Sequence, residues 1–99
     1  MFVVTAKIKA KKGAADTLAG MFGELVGWVA LNESETVSYS CSRSTDDPDV
    51  FLFFERYTST SAFRAHSTSE TFLELAAGIQ GLIDGAIEIE TYEEIAAKP

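Results

Sequence analysis

Three observations predict an α+β fold in which helices cover one face of an antiparallel sheet. Three segments alternate apolar and polar side chains with the period of a strand, a fourth is a short run apolar on both faces, and longer segments repeat apolar residues at helical spacing. Their order is strand, helix, strand, strand, helix, strand. With the last strand lying antiparallel beside the first, this is the ferredoxin-like split βαβ arrangement, βαββαβ, with sheet order 4-1-3-2 and the helices on one face.

Each element has its own justification. Phe2 to Ala10 sets Phe2, Val4, Ala6 and Ile8 on one side and Val3, Thr5, Lys7 and Lys9 on the other, and Lys11, Lys12 and Gly13 end it. From about Ala14 to Leu31, residues Leu18, Met21, Phe22, Leu25, Trp28 and Val29 fall in an arc of roughly 120° at about 100° per residue, an amphipathic helix. Gly20, Gly23 and Gly27 share the opposite face, each costing about 1 kcal/mol of helix propensity relative to Ala. That face is either open to solvent or a place where another backbone comes close.

After polar Asn32 to Glu35, residues Val37, Tyr39 and Cys41 alternate with Ser38, Ser40 and Ser42. Thr45-Asp46-Asp47-Pro48-Asp49 is a turn, because Asp bonds local backbone and Pro fixes φ. Val50 to Phe54 is apolar on both faces and requires cover on both. The helices supply one cover, and in so short a chain the other is expected from a second subunit. Thr58 to Ser61 offers cap residues for a short helix, Ala62 to His66, and Ser67-Thr68-Ser69-Glu70 has the spacing of a capping box for the next. Phe72, Leu75, Ala76 and Ile79 form the stripe of that helix, whose end Gly78 and Gly81 loosen. Ala86 to Tyr92 is the final strand, which makes Glu88 and Glu90 the expected cross-strand partners of Lys7 and Lys9.

With 99 residues, 46% of them hydrophobic and 23% charged, the chain reads as one domain over residues 1 to 99. Such a chain buries only about 60–65% of the surface it exposes when unfolded, so a disulfide, a metal or a partner helps it. The single Cys41 excludes an intrachain disulfide, and the single His66 leaves no pair of soft ligands for a zinc site. A homodimer is the expected supplement. Fifteen acidic against eight basic side chains, a net charge of −7, oppose nucleic-acid binding. No window approaches the ~18 apolar residues of a membrane span. The apolar stretch at the N-terminus precedes its basic residues, the reverse of a secretory signal, and with a free thiol this makes the cytoplasm the expected compartment.

No dinucleotide fingerprint is present, since Gly78-Ile79-Gln80-Gly81 lacks the third glycine and follows no strand, and GxSxG and HExxH are absent. The polar candidates are His66, Glu55, Arg56, Arg43, Tyr39, Tyr57 and Tyr92. His66 alone has an ordinary pKa suited to proton transfer near pH 7, although a single histidine at a helix end also serves structural roles. Glu55 and Tyr57 share a strand face with Phe51 and Phe53, where Glu55 is either functional or tied into a salt bridge or cap. Trp28, Phe22, Phe53, Phe63 and Phe72 are either plain core or the walls of a pocket for a flat aromatic ligand.

The run Phe53-Phe54-Glu55-Arg56-Tyr57-Thr58-Ser59, then Ala62-Phe63-Arg64-Ala65-His66-Ser67, then Glu70-Thr71-Phe72, resembles the signature of the antibiotic biosynthesis monooxygenase (ABM) family. The Asp46 to Asp49 hairpin and Lys11-Lys12-Gly13 are similar to it as well. The resemblance implies a dimeric α+β barrel of two sheets packed face to face. It also implies oxidation of a phenol, quinol or polyketide-like aromatic by O2 without flavin, metal or haem. Under it, His66 is the acid/base or substrate anchor, Tyr57 and Tyr39 are hydrogen-bonding partners, and Glu55 orients the site. The loop Asn32-Glu33-Ser34-Glu35-Thr36 lacks the family's Pro-Gly, and Ala6 and Ala76 stand where the haem-degrading branch has Asn and His, which disfavours haem degradation. The alternative from another class is a non-catalytic, small-ligand-binding dimeric module of the same fold.

Overall fold

The computed structural model describes residues 1–99. Strands β1 (Phe2–Lys9), β2 (Thr36–Arg43), β3 (Val50–Tyr57) and β4 (Glu88–Glu93) form one sheet in the order β2-β3-β1-β4, with every neighbouring pair antiparallel. Helices α1 (Ala15–Asn32), α2 (Thr60–Ser67) and α3 (Glu70–Ile79) lie on one face, and a 3-10 turn, Gln80–Leu82, follows α3. This is the ferredoxin-like arrangement. No helix is long and apolar enough to cross a membrane.

The core sits between α1 and the central strands. Leu18, Phe22, Leu25 and Val29 of α1 are buried against Ile8, Phe51 and Phe53. Phe22 meets Phe51 and Phe53 edge-on, with ring centroids 5.3 and 5.0 Å apart, contacts contributing about 0.5–1.5 kcal/mol each beyond burial. Met21 and Trp28, at the rim of the helical arc, are only half-buried. An added Cβ at Gly20, Gly23 or Gly27 would meet nothing within 4 Å, so within the chain that face is open.

Serines start the two short helices. Ser59 Oγ accepts from the Ala62 amide at 3.1 Å, and Ser69 Oγ accepts from the Phe72 amide at 3.2 Å. The expected cap of α3 therefore moves two residues along: Ser67 ends α2 and donates to the Arg64 carbonyl. The expected charge ladder is also corrected. Lys7 does stand opposite Glu88, but Glu90 stands opposite Thr5, and Lys9 lies beyond the end of β4.

Across the register, Val4, Ala6, Ile8, Phe51, Phe53, Glu55 and Tyr39 share the helix side, and Val3, Lys7, Leu52, Phe54, Arg56 and Tyr92 the other. On that other side Leu52 and Phe54 remain 44% and 41% exposed. The strand that reads as apolar on both faces thus has one face in the core and the other bare. Arg56 spans it with a two-pronged ion pair to Glu94, at 2.7 and 3.1 Å.

Candidate functional site

Between the helices and the β1, β3 and β4 side of the sheet lies a cavity of about 160 Å³. The stripe that makes α3 amphipathic, Phe72, Leu75, Ala76 and Ile79, is one wall; Val4, Ala6 and Ile8 of β1 form the floor. Fourteen of its seventeen wall residues, Tyr39 among them, are hydrophobic, so the few polar residues define its chemistry: Glu55, His66 and Ser67.

His66 reaches this wall because α2, capped by Ser59, starts directly after β3 and turns its last residues back over the sheet. Its side chain is buried among aromatic rings, with centroids 4.9 Å from Tyr39 and from Phe72 and 5.8 Å from Tyr57. Its Nδ1 lies 2.9 Å from both carboxylate oxygens of Glu33. Its Nε2 is buried and has no hydrogen-bond partner. Leaving a buried polar atom unpaired costs about 1–3 kcal/mol, so such an atom calls for an explanation.

Glu55 is 5% exposed and forms no ion pair; it accepts a hydrogen bond from the Tyr57 hydroxyl at 2.5 Å. Burial raises its pKa to about 7, with the Glu33 charge acting in the same direction and the Tyr57 hydrogen bond opposing both. Burial, then the charge of Glu55, pushes Tyr57 well above the usual phenol range, and burial does the same to Tyr39. Both phenols are therefore donors at neutral pH. Nowhere do three His, Cys, Asp or Glu side chains converge on one point.

The expected site residues divide three ways. Tyr39, Phe22, Phe53, Phe63, Phe72, Glu55 and His66 all line the cavity. Tyr57 does not: it is fully buried behind Glu55 and reaches the cavity only through that carboxyl. Trp28 is not on the wall either. At the rim of the α1 arc it turns toward α3 and borders surface grooves with Met21, Glu24, Thr71 and Glu74 on one side and Asn32 and Glu33 on the other.

Among the remaining polar candidates, Arg43 pairs with Asp16 at 3.3 Å and lies over the Phe51 ring, while Arg56 and Tyr92 are on the bare sheet face. Sequence reasoning missed Glu33, which is 33 positions from His66 in a loop whose composition reads only as a polar turn. Ser67 was read as a cap, and its place on the cavity wall had no signal.

A ferredoxin-like sheet whose helices enclose an apolar cavity around one buried histidine defines the class. The family model described as antibiotic biosynthesis monooxygenase matches residues 1–78, and the chain belongs to that family. Among solved structures, a candidate antibiotic biosynthesis monooxygenase from Caulobacter crescentus superposes with a TM-score of 0.91 at 25% identity, covering 96% of this chain and 90% of its own. Rv0793 from Mycobacterium tuberculosis gives 0.89 at 20% identity over 99% and 98% of the two chains. NE2512 from Nitrosomonas europaea, a protein of unknown function, gives 0.87 at 23% identity over 99% and 92%. No curated protein matches the chain.

Proposed function

We propose that this protein is a cofactor-independent monooxygenase that oxidises a small phenol or quinol with O2. The observation that carries the reading is His66, which lines an otherwise apolar cavity and whose buried Nε2 has no hydrogen-bond partner. A ring hydroxyl placed there donates to Nε2 and then transfers its proton, a role that contributes about 10²–10⁴-fold. The electron-rich phenolate reacts with O2 at a ring carbon. One oxygen atom stays on the ring and the other leaves as water, the ring supplying the two electrons and the two hydrogens from its C–H and O–H. Tyr39 and Glu55, the latter in its protonated form, are the remaining hydrogen-bonding groups for the oxygens. The apolar wall keeps water from the reactive anion.

The volume narrows the substrate. An apolar cavity of roughly 150 Å³ holds a benzene-sized molecule, and about 160 Å³ therefore suits one ring with small substituents and not an extended polycycle.

The second cover for the sheet is a second copy of the chain. The bare face carrying Leu52, Phe54 and Tyr92 supports sheet-to-sheet packing in a homodimer, the arrangement implied by the ABM resemblance.

Oxygen uptake with a panel of substituted phenols and hydroquinones, using chelator-treated protein and mass analysis of products, tests the activity. Products gain one oxygen and lose two hydrogens, and His66→Ala lowers the rate by at least about 10²-fold. Thermal stabilisation by an aromatic compound with no oxygen uptake would replace the enzyme reading with that of a binding module.

A further inference from the structure

We infer that Glu33, which lines no part of the cavity, is the positioning residue that makes His66 Nε2 the proton acceptor. The inference rests on the proposed role of His66. His66 is the partition between two spaces: it borders the cavity on one side and, on the other, an outer groove lined by Glu33, Glu35, Asn32 and Ser69. Glu33 is only on the groove side, and both of its oxygens lie 2.9 Å from Nδ1. A carboxylate accepts and cannot donate, so it holds the imidazole proton on Nδ1 and leaves the lone pair on Nε2. When Nε2 then takes a proton from a ring hydroxyl, the same carboxylate stabilises the imidazolium. Neither effect brings Glu33 into contact with the substrate.

An independent observation singles out this carboxylate. Glu33 is the C-terminal cap of α1, and the last turn of that helix carries no basic residue. The carbonyl end of a helix repels an anion. Helix formation alone therefore disfavours an acidic side chain here, and a local rule broken in this way marks a position held for function. The Thr36 hydroxyl donates to Glu33 Oε1 at 2.7 Å and helps to hold the carboxylate against Nδ1.

Two readouts test this. The ¹⁵N NMR signals of the His66 ring show directly which nitrogen bears the proton. The wild type is expected to show Nδ1–H with a lone pair on Nε2; Glu33→Ala is expected to shift the proton to Nε2. In oxygen uptake, Glu33→Ala is expected to lower kcat by about 10²-fold with KM within about threefold, and Glu33→Asp to recover most of the loss. Loss of the correct tautomer alone costs about 10⁴-fold in a serine-protease triad. If Glu33→Ala does not fold, Glu33→Gln, which preserves volume and the Thr36 bond, is judged on kcat, with a loss of tenfold or more expected.

A wild-type proton on Nε2, an unchanged tautomer in Glu33→Ala, or a kcat within threefold of wild type would overturn the assignment. Because the NMR result needs no turnover, a protein that oxidises no phenol refutes the proposed function and still leaves the hold of Glu33 on His66 decided by the ring signals.

Discussion

Replacing Glu55 by Gln gives the clearest stability test. Buried beneath the helices with a Tyr57 hydroxyl and no cation, Glu55 is neutral in the folded protein up to a pKa of about 7, against 4.5 for an ordinary glutamate. Between those two values the folded state binds a proton that the unfolded chain does not, so stability is lost as pH rises through that window. Two and a half pH units at about 1.36 kcal/mol each give about 3 kcal/mol lost between pH 4.5 and pH 7 from this residue alone. Above pH 7 the folded protein contains a buried carboxylate and the loss levels off. Gln mimics the protonated acid in shape and still accepts from Tyr57, so it removes this dependence.

Urea melts of wild type and Glu55→Gln at several pH values between 4.5 and 8.5 measure it, the difference between the two proteins cancelling the titration of all other groups. The variant is expected to match wild type near pH 4.5 and to be more stable by about 3 kcal/mol at pH 8. Parallel pH profiles for the two proteins would refute the description of Glu55 as a buried, neutral acid.

Three further outcomes are expected. Ala76→Phe places a ring in the cavity and should abolish stabilisation by single-ring phenols in thermal-shift assays while the circular dichroism stays native. Phe54→Asp, on the bare sheet face, should convert a dimeric protein of twice 10.7 kDa into a monomer by light scattering, and a wild type that is already monomeric would contradict sheet-to-sheet pairing. Gly23→Ala, whose new Cβ meets nothing within 4 Å, should stabilise by about 1 kcal/mol and raise Tm by about 4–8 °C; a loss of stability would mean that another backbone approaches this face.

Local patterns made most of the fold legible. The alternation in β1 and the stripe of α3 depend only on period, and the same four α3 residues that define that stripe form the cavity wall. Two shifts came from competition among neighbouring signals. Ser67 and Ser69 are both able caps, and the helix break after Ser67 selects Ser69. Lys9 and Glu90 are both charged and alternate correctly, but β4 begins at Glu88 and the pairing slides by one pair.

In the site, His66 and Glu55 stand out because ionisable residues are scarce in apolar stretches. Trp28 was misplaced because an arc drawn from spacing does not separate its centre, occupied by Leu18, Phe22, Leu25 and Val29, from its rim. Glu33 had no signature at all: its partner lies on another helix, and only the three-dimensional approach of the end of α1 to α2 joins them.

The proposed activity requires a ring hydroxyl bound at His66 Nε2. A crystal structure with a bound phenol whose ortho and para positions are blocked against oxidation tests it most directly. The ring is expected in the cavity between α3 and β1 with its oxygen about 2.6–3.2 Å from Nε2. A ring bound elsewhere, or one in the cavity with its hydroxyl turned away from His66, would contradict it.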